Sequence, residues 1–314
     1  MNTTQKHYRD NKIQTVLLVG GLACALAIVG FVVGGSAVMM TAVVSVLSVA
    51  LLASYVSPAM VLRMKNAQCL TEADSPTLFA LLDELTVKAK LSSRPSLYYL
   101  ATPMMTAFTV GLGANATITV SDGLLRRMNR RELMGILAHE ISHIKNNDMR
   151  IMNVANAMDQ LVRLLAIFGL FWLLFAIPLT LFAEYTAPWI AIALLIVLPS
   201  VTSLMTMKLS RTREFEADRM AAELTGDPLA LISALGRLEY REWRWVTRFL
   251  AFPKPAEELS SMQTHPATEE RIERLELQVK EMACEPPSLL VRGIERMLPQ
   301  HVWELNKRML QERS

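Results

Sequence analysis

The chain has 314 residues, 52% hydrophobic and 19% charged, with a formal net charge of +3. So apolar a composition points away from a wholly soluble domain and toward membrane insertion. The small charge, with no basic stripe interleaved with aromatics, sets nucleic-acid binding aside. Cys24, Cys69 and Cys284 lie far apart with no C-x-x-C. Neither a disulfide framework nor a zinc–thiolate site is expected, which suits a reducing compartment for the soluble part.

In chain order, Ile13 to Leu62 holds no Asp, Glu, Lys or Arg. A spanning helix needs about 20 apolar residues, so the N-terminal segment 1–63 is expected to hold two spans, about 13–33 and 37–62, turning at Gly34–Ser36. The basic start "KHYRDNK" could open a signal peptide. However, the apolar stretch runs on with no small-x-small cleavage site, so a retained hairpin is the expectation.

Residues 64–160 read as mixed structure. "SPTLFALLDELTVKAKL" spaces Leu78, Leu81, Leu82 and Leu85 along one helix face, and "PSLYYLA" and "ATITVSD" read as strands joined through the turn-forming "GLGANA". "NRRELMGILAHEISHIKNND" is a helix opened by a capping box of Asn129 and Glu132. A second apolar pair follows within 161–207, spans of about 164–183 and 188–207, separated by Glu184, with Tyr185 and Trp189 at the turn. Pro178 and Pro199 interrupt these helices, which a bundle tolerates. Lys and Arg lie before and after each hairpin and not at the outer turns. By the positive-inside rule both hairpins start and end in the cytoplasm. Segments 64–160 and 208–280 can then form one catalytic domain interrupted by a membrane hairpin, with 281–314 as a C-terminal extension.

Within "HEISH", His139 and His143 are four residues apart and project from one helix face. Two ring nitrogens so placed can meet one Zn²⁺ at ~2.0–2.1 Å. Glu140 reaches a zinc-bound water without ligating, and takes its proton as the water attacks a peptide carbonyl. The stripe Leu133, Leu137, Ile141 and Ile144 leaves a separate face for packing. The bland alternative is a solvated His–Glu–His face. A hydrolytic zinc site needs a third protein ligand, and "SRTREFEADRMAA" offers one. Glu214 and Asp218 share a helix face, where like charges repel unless compensated, whereas Glu216 points away. Glu214 as ligand, with Asp218 accepting from the other nitrogen of a ligand histidine, resolves the repulsion. The alternative for Glu214 is a surface pair with Arg211 or Arg213.

"ELMGILAHEISHIKNND", a hydrophobic hairpin, "SRTREFEAD" and "THPATEERI", in that order, resemble the HtpX-type integral-membrane zinc metalloproteases, relatives of the CAAX prenyl endopeptidases. The resemblance runs over about residues 1–280. It implies a gluzincin: a mainly α, four-span membrane protein carrying a zincin-like cytoplasmic protease domain with a small β-sheet. One zinc per chain is implied, on His139, His143 and Glu214, with Glu140 as base. It also implies that His265 hydrogen-bonds the oxyanion and that Arg271 braces the Asp218 region or the substrate. The plain reading of His265–Pro266 is a helix start. Thr106 stands where many relatives carry asparagine. The strand with Ala107 and Phe108 is implied to pair with extended substrate.

"EYREWRWVTRFLAF" (239–252) reads as a membrane-interface anchor, a lid or plain packing. The resemblance implies a membrane endopeptidase in a bacterial inner membrane that cuts misfolded or damaged membrane proteins at the cytoplasmic face, whereas residue spacing by itself points only to hydrolysis. The alternatives are a processing protease for a specific or lipidated substrate, or a non-catalytic membrane scaffold.

Overall fold

The N-terminal apolar run forms a long helical stretch, α1 (Thr3–Ala53), whose backbone leaves helical geometry at Gly34 and Gly35. Gly35 sits at φ +69°, open to glycine without strain. The chain doubles back there. A Cβ on Gly30 would lie 2.9 Å from the Val38 carbonyl oxygen, and Val46 shares a buried cluster with Leu22, Leu26 and Val29. On a straight helix about 36 Å would part Leu22 from Val46. The apolar run expected to span through Leu62 instead leaves this helix at Ala53, and a separate short helix, α2 (Pro58–Met64), starts at a proline. Proline suits a first helical position and cannot continue an earlier helix.

The computed structural model describes residues 3–53, 57–182, 189–249 and 268–284, with backbone alone for 3–15, 18, 239–249 and 281–284. Tyr185, His265 and residues 285–314 lie outside them, as do the side chains of 239–252. Contacts divide the chain into two units, Met1–Leu275 and Glu276–Ser314. The second is described only as the end of a helix.

The protein is mainly helical with one small mixed sheet. Its strands are β1 (Gln68–Cys69), β2 (Ser96–Leu100), β3 (Ala107–Val110) and β4 (Thr117–Ser121), in the order β1-β2-β4-β3. The β2–β4 pair is parallel and the other two antiparallel. This leaves β3 at the edge. Its turn into β4 needs Gly111, at φ +87°: a Cβ there would lie 2.2 Å from the Asn115 carbonyl oxygen and 2.9 Å from Pro58 Cγ. Leu78, Leu81, Leu82 and Leu85 of α3 (Pro76–Ala89) pack with Leu97, Ile118 and Val120 of the sheet. The short α4 (Asp122–Leu125) follows β4. Leu137 and Ile141 of α5 (Arg130–Asn146) complete this core with Leu231, Ala234 and Leu235 of α8 (Pro228–Phe249).

Three helices are long and apolar enough to cross a membrane among the described residues: Val19–Ala53 within α1, α6 (Asp148–Phe182) and α7 (Trp189–Thr225). Phe168, Phe171, Leu174, Phe175, Ile190 and Leu204 stand exposed on α6 and α7, as lipid contact requires. Both helices run through their prolines. They also run well past the expected apolar limits: α6 begins at Asp148, and α7 continues to Thr225. The ends of this hairpin are therefore stiff extensions reaching back to α5. A last helix, α9 (Thr268–Cys284), begins within the first unit, where Arg271 and Leu275 are buried.

Candidate metal and catalytic site

The capping box that opens α5 is formed: Asn129 Oδ1 accepts from the Glu132 N–H and Glu132 Oε2 from the Asn129 N–H, both at 2.9 Å. It satisfies two orphan donors and fixes where the helix starts. From Gly135 to Ile144 every residue of α5 is buried. The face carrying the histidines is therefore as enclosed as the packing stripe, because β3 and α7 cover it.

His139 Nε2 and His143 Nε2 lie 3.2 Å apart. Glu214 reaches them from α7, with Oε2 3.4 Å from His139 Nε2 and Oε1 3.8 Å from His143 Nε2. The three residues offer a metal-binding group. A tetrahedral zinc with bonds of ~2.0–2.1 Å has ligand–ligand edges of about 3.4 Å, so these donors already stand close to that spacing.

Each histidine is held from behind. His139 Nδ1 lies 2.9 Å from Asp218 Oδ1, and His143 Nδ1 2.9 Å from Asp148 Oδ2. With Nδ1 turned to a carboxylate, each ring presents Nε2 to the common point. Each aspartate also faces a buried guanidinium. Arg271 donates from Nε to Asp218 Oδ2 and from Nη2 to Oδ1, both at 2.7 Å, and its Nη1 lies 3.3 Å from Glu214 Oε2. Arg213 Nη1 lies 3.6 Å from Asp148 Oδ1. Glu140, Asp148, Glu214 and Asp218 thus place four carboxylates in the interior against two guanidiniums. A divalent cation at the three donors makes up the difference, so donor set and charge both fit a metal. Without it, burial disfavours protonation of His139, but Asp218 and Glu214 together outweigh burial and its pKa is pushed up to about 10.

Glu140 points elsewhere. Its Oε2 accepts from Thr109 Oγ1 at 2.7 Å, tying the carboxylate to the middle of β3. Thr106 lies just before that strand, its N–H on Ser121 Oγ at 2.9 Å and its carbonyl accepting from the Ser121 N–H at 3.0 Å. Ala107 and Phe108 open the edge strand. Glu216, set aside from the sequence, pairs with Arg219.

Three participants were not singled out from the sequence. Thr109 gave no signal beyond its place on a strand. Arg213 reads as a flanking charge or a surface partner of Glu214, yet it is 5% exposed and faces Asp148. Asp148 reads as the tail of a polar "NND". The available signal was its place one residue past Asn147, which takes a left-handed conformation (φ 56°) and closes α5, so that Asp148 can start α6. Asp148→Asn is expected to weaken metal binding about 10–100-fold with the secondary structure unchanged. Chelator competition followed beside circular dichroism checks this.

A family model described as Peptidase family M48 matches residues 72–279. The chain belongs to that family. It is a metalloprotease with membrane helices, similar to HtpX proteases. A "Protease HtpX homolog" of Paraburkholderia phytofirmans is 32% identical over 283 residues, covering 84% of this chain and 96% of the relative. One of Methylibium petroleiphilum is 32% identical over 278 residues with the same coverage. Among solved structures, S. mikatae Ste24p is similar at 18% identity and a TM-score of 0.45, over 86% of this chain and 66% of that one.

Proposed function

We propose that this chain is a zinc endopeptidase with four membrane spans that hydrolyses misfolded or damaged membrane proteins at the cytoplasmic face of a bacterial inner membrane. The observation that carries the reading is the convergence of His139, His143 and Glu214 on one point, with Glu140, the residue after His139, held on Thr109 outside the donor set. The break at Gly34–Gly35 supports counting α1 as two spans. Lysines and arginines at the inner ends of both hairpins support the cytoplasmic orientation.

His139, His143 and Glu214 would hold the zinc, and Asp218 and Asp148 would keep the two imidazoles turned toward it. When bound, zinc supplies Lewis acidity to the attacking water and the scissile carbonyl. Glu140 accepts the proton of the attacking water and returns it to the leaving amine. The Thr109 hydroxyl holds the Glu140 carboxylate toward β3 until then. Among the described residues no strand lies beyond β3, so its outer edge offers N–H and C=O groups to an extended substrate. Because Thr109 belongs to that strand, substrate alignment and base position are set by one element. His265 would hydrogen-bond the oxyanion.

The test uses protein purified in detergent without chelators. About one zinc per chain is expected, with casein cleavage lost on chelation and restored by zinc. Stoichiometric zinc with no cleavage of any unfolded substrate would establish a scaffold instead. Cleavage that persists after complete metal removal would overturn the proposal.

A further inference from the structure

We propose that Lys65 and Phe108 form a specificity subsite beside β3 that favours substrates with an acidic side chain near the scissile bond. This deepens the reading of β3 as the substrate-pairing edge and rests on it.

Side chains alternate along a strand. Thr109 turns to Glu140, so Phe108 takes the opposite face of the sheet. In register, Phe108 stands opposite Thr119, Thr119 beside Tyr98, and Tyr98 opposite Cys69. These four residues form one row across the sheet. A substrate strand added to β3 extends that row by one residue, whose side chain then lies against Phe108.

Lys65 Nζ stands 5.6 Å from the centroid of the Phe108 ring. The position is built rather than incidental. Lys65 closes α2, its backbone N–H bonding back to the Val61 carbonyl and that of Asn66 to the Arg63 carbonyl, both at 3.1 Å. Leu62 of that helix is buried, and Pro58 abuts the turn at Gly111, just past the end of β3. The side chain of Lys65 is exposed, and no carboxylate pairs with it among the described residues. The other members of the row, Thr119, Tyr98 and Cys69, bring no carboxylate. An incoming side chain therefore meets an aromatic rim and an unneutralised ammonium. A carboxylate satisfies the ammonium, and a cation is repelled by it. A solvent-exposed pair of this kind supplies roughly two- to five-fold selectivity.

The test compares unfolded peptides that differ only in Glu, Gln or Lys at positions flanking the scissile bond. They are cleaved in neutral detergent by the wild type and by Lys65→Met and Lys65→Glu, with zinc content confirming an intact site in each. The wild type is expected to favour Glu over Lys at one of these positions by about two- to five-fold in kcat/KM. The ratio should fall to one in Lys65→Met and invert in Lys65→Glu. Glu140-dependent cleavage with the same ratio in all three proteins would overturn the subsite and leave the peptidase reading standing. The subsite is equally overturned if the substitutions change only co-flotation with phosphatidylglycerol vesicles, which would assign Lys65 to lipid headgroups. Absence of Glu140-dependent cleavage of every peptide would overturn both.

Discussion

Glu140→Gln is expected to lower kcat by about 10²–10⁴-fold while metal content stays at the wild-type level. The two effects separate because Glu140 is not one of the three converging donors. Glutamine keeps the shape of the side chain, and its amide oxygen can still accept from Thr109 Oγ1, which now bonds the carboxylate at 2.7 Å. The substitution removes only the ability to take up a proton. A large drop in metal content would place Glu140 in the coordination sphere. Retained cleavage above about a tenth of wild type would mean that another group takes the proton. The measurement is metal analysis of the purified variant alongside turnover of a quenched unfolded substrate, with the same detergent and zinc concentration for both proteins.

Local pattern was enough for much of the fold. Leucines at helical spacing placed α3, short runs rich in apolar, aromatic and β-branched residues placed β2 and β4, and Asn129 with Glu132 set the start of α5. Each depends on interactions within a few residues, which a single sequence displays. What depends on distant pairing was hidden. Nothing local says that β2 and β4 run parallel with β3 outside them. The helix limits at the second hairpin were missed for a related reason. Apolar content marks where lipid begins, near residues 164 and 207, but backbone hydrogen bonding carries α6 back to Asp148 and α7 on to Thr225. That overrun matters at the site, since Glu214 and Asp218 ride on the same helix as an apolar segment long enough to cross a membrane. Arg213 shows the limit most plainly. A residue type that almost always faces water lies in the interior, because Asp148, 65 positions earlier, awaits it there.

Arg271→Leu should be the most destabilising single change at the site, costing about 3–5 kcal/mol. Arg271 is 8% exposed and serves two carboxylates at once, Asp218 through two nitrogens and Glu214 through the third. Leucine fills part of the volume but leaves both acids buried with less compensation. That is the costly way to break an interior ion pair, whereas removing both partners costs less. Asp218→Asn in the same chain should therefore recover part of the loss, and the double variant should be more stable than the two single losses added together predict. Arg271→Lys restores charge but not the paired N–H geometry, and is expected to fall between. Metal binding weakens by a linked route. Asp218 and Glu214 already push the metal-free His139 up to about 10 against the opposing effect of burial. Zinc uptake below that pH must expel a proton, so affinity rises by about tenfold per pH unit there. With Arg271 gone, Asp218 loses the two N–H bonds that fix it behind His139 Nδ1, so the imidazole is less firmly turned to the common point and metal affinity is expected to fall. Thermal unfolding in detergent and zinc competition titrations at several pH values test both effects. Wild-type values for Arg271→Leu in the two assays would show that the guanidinium is a bystander and that the carboxylates are balanced by some other group.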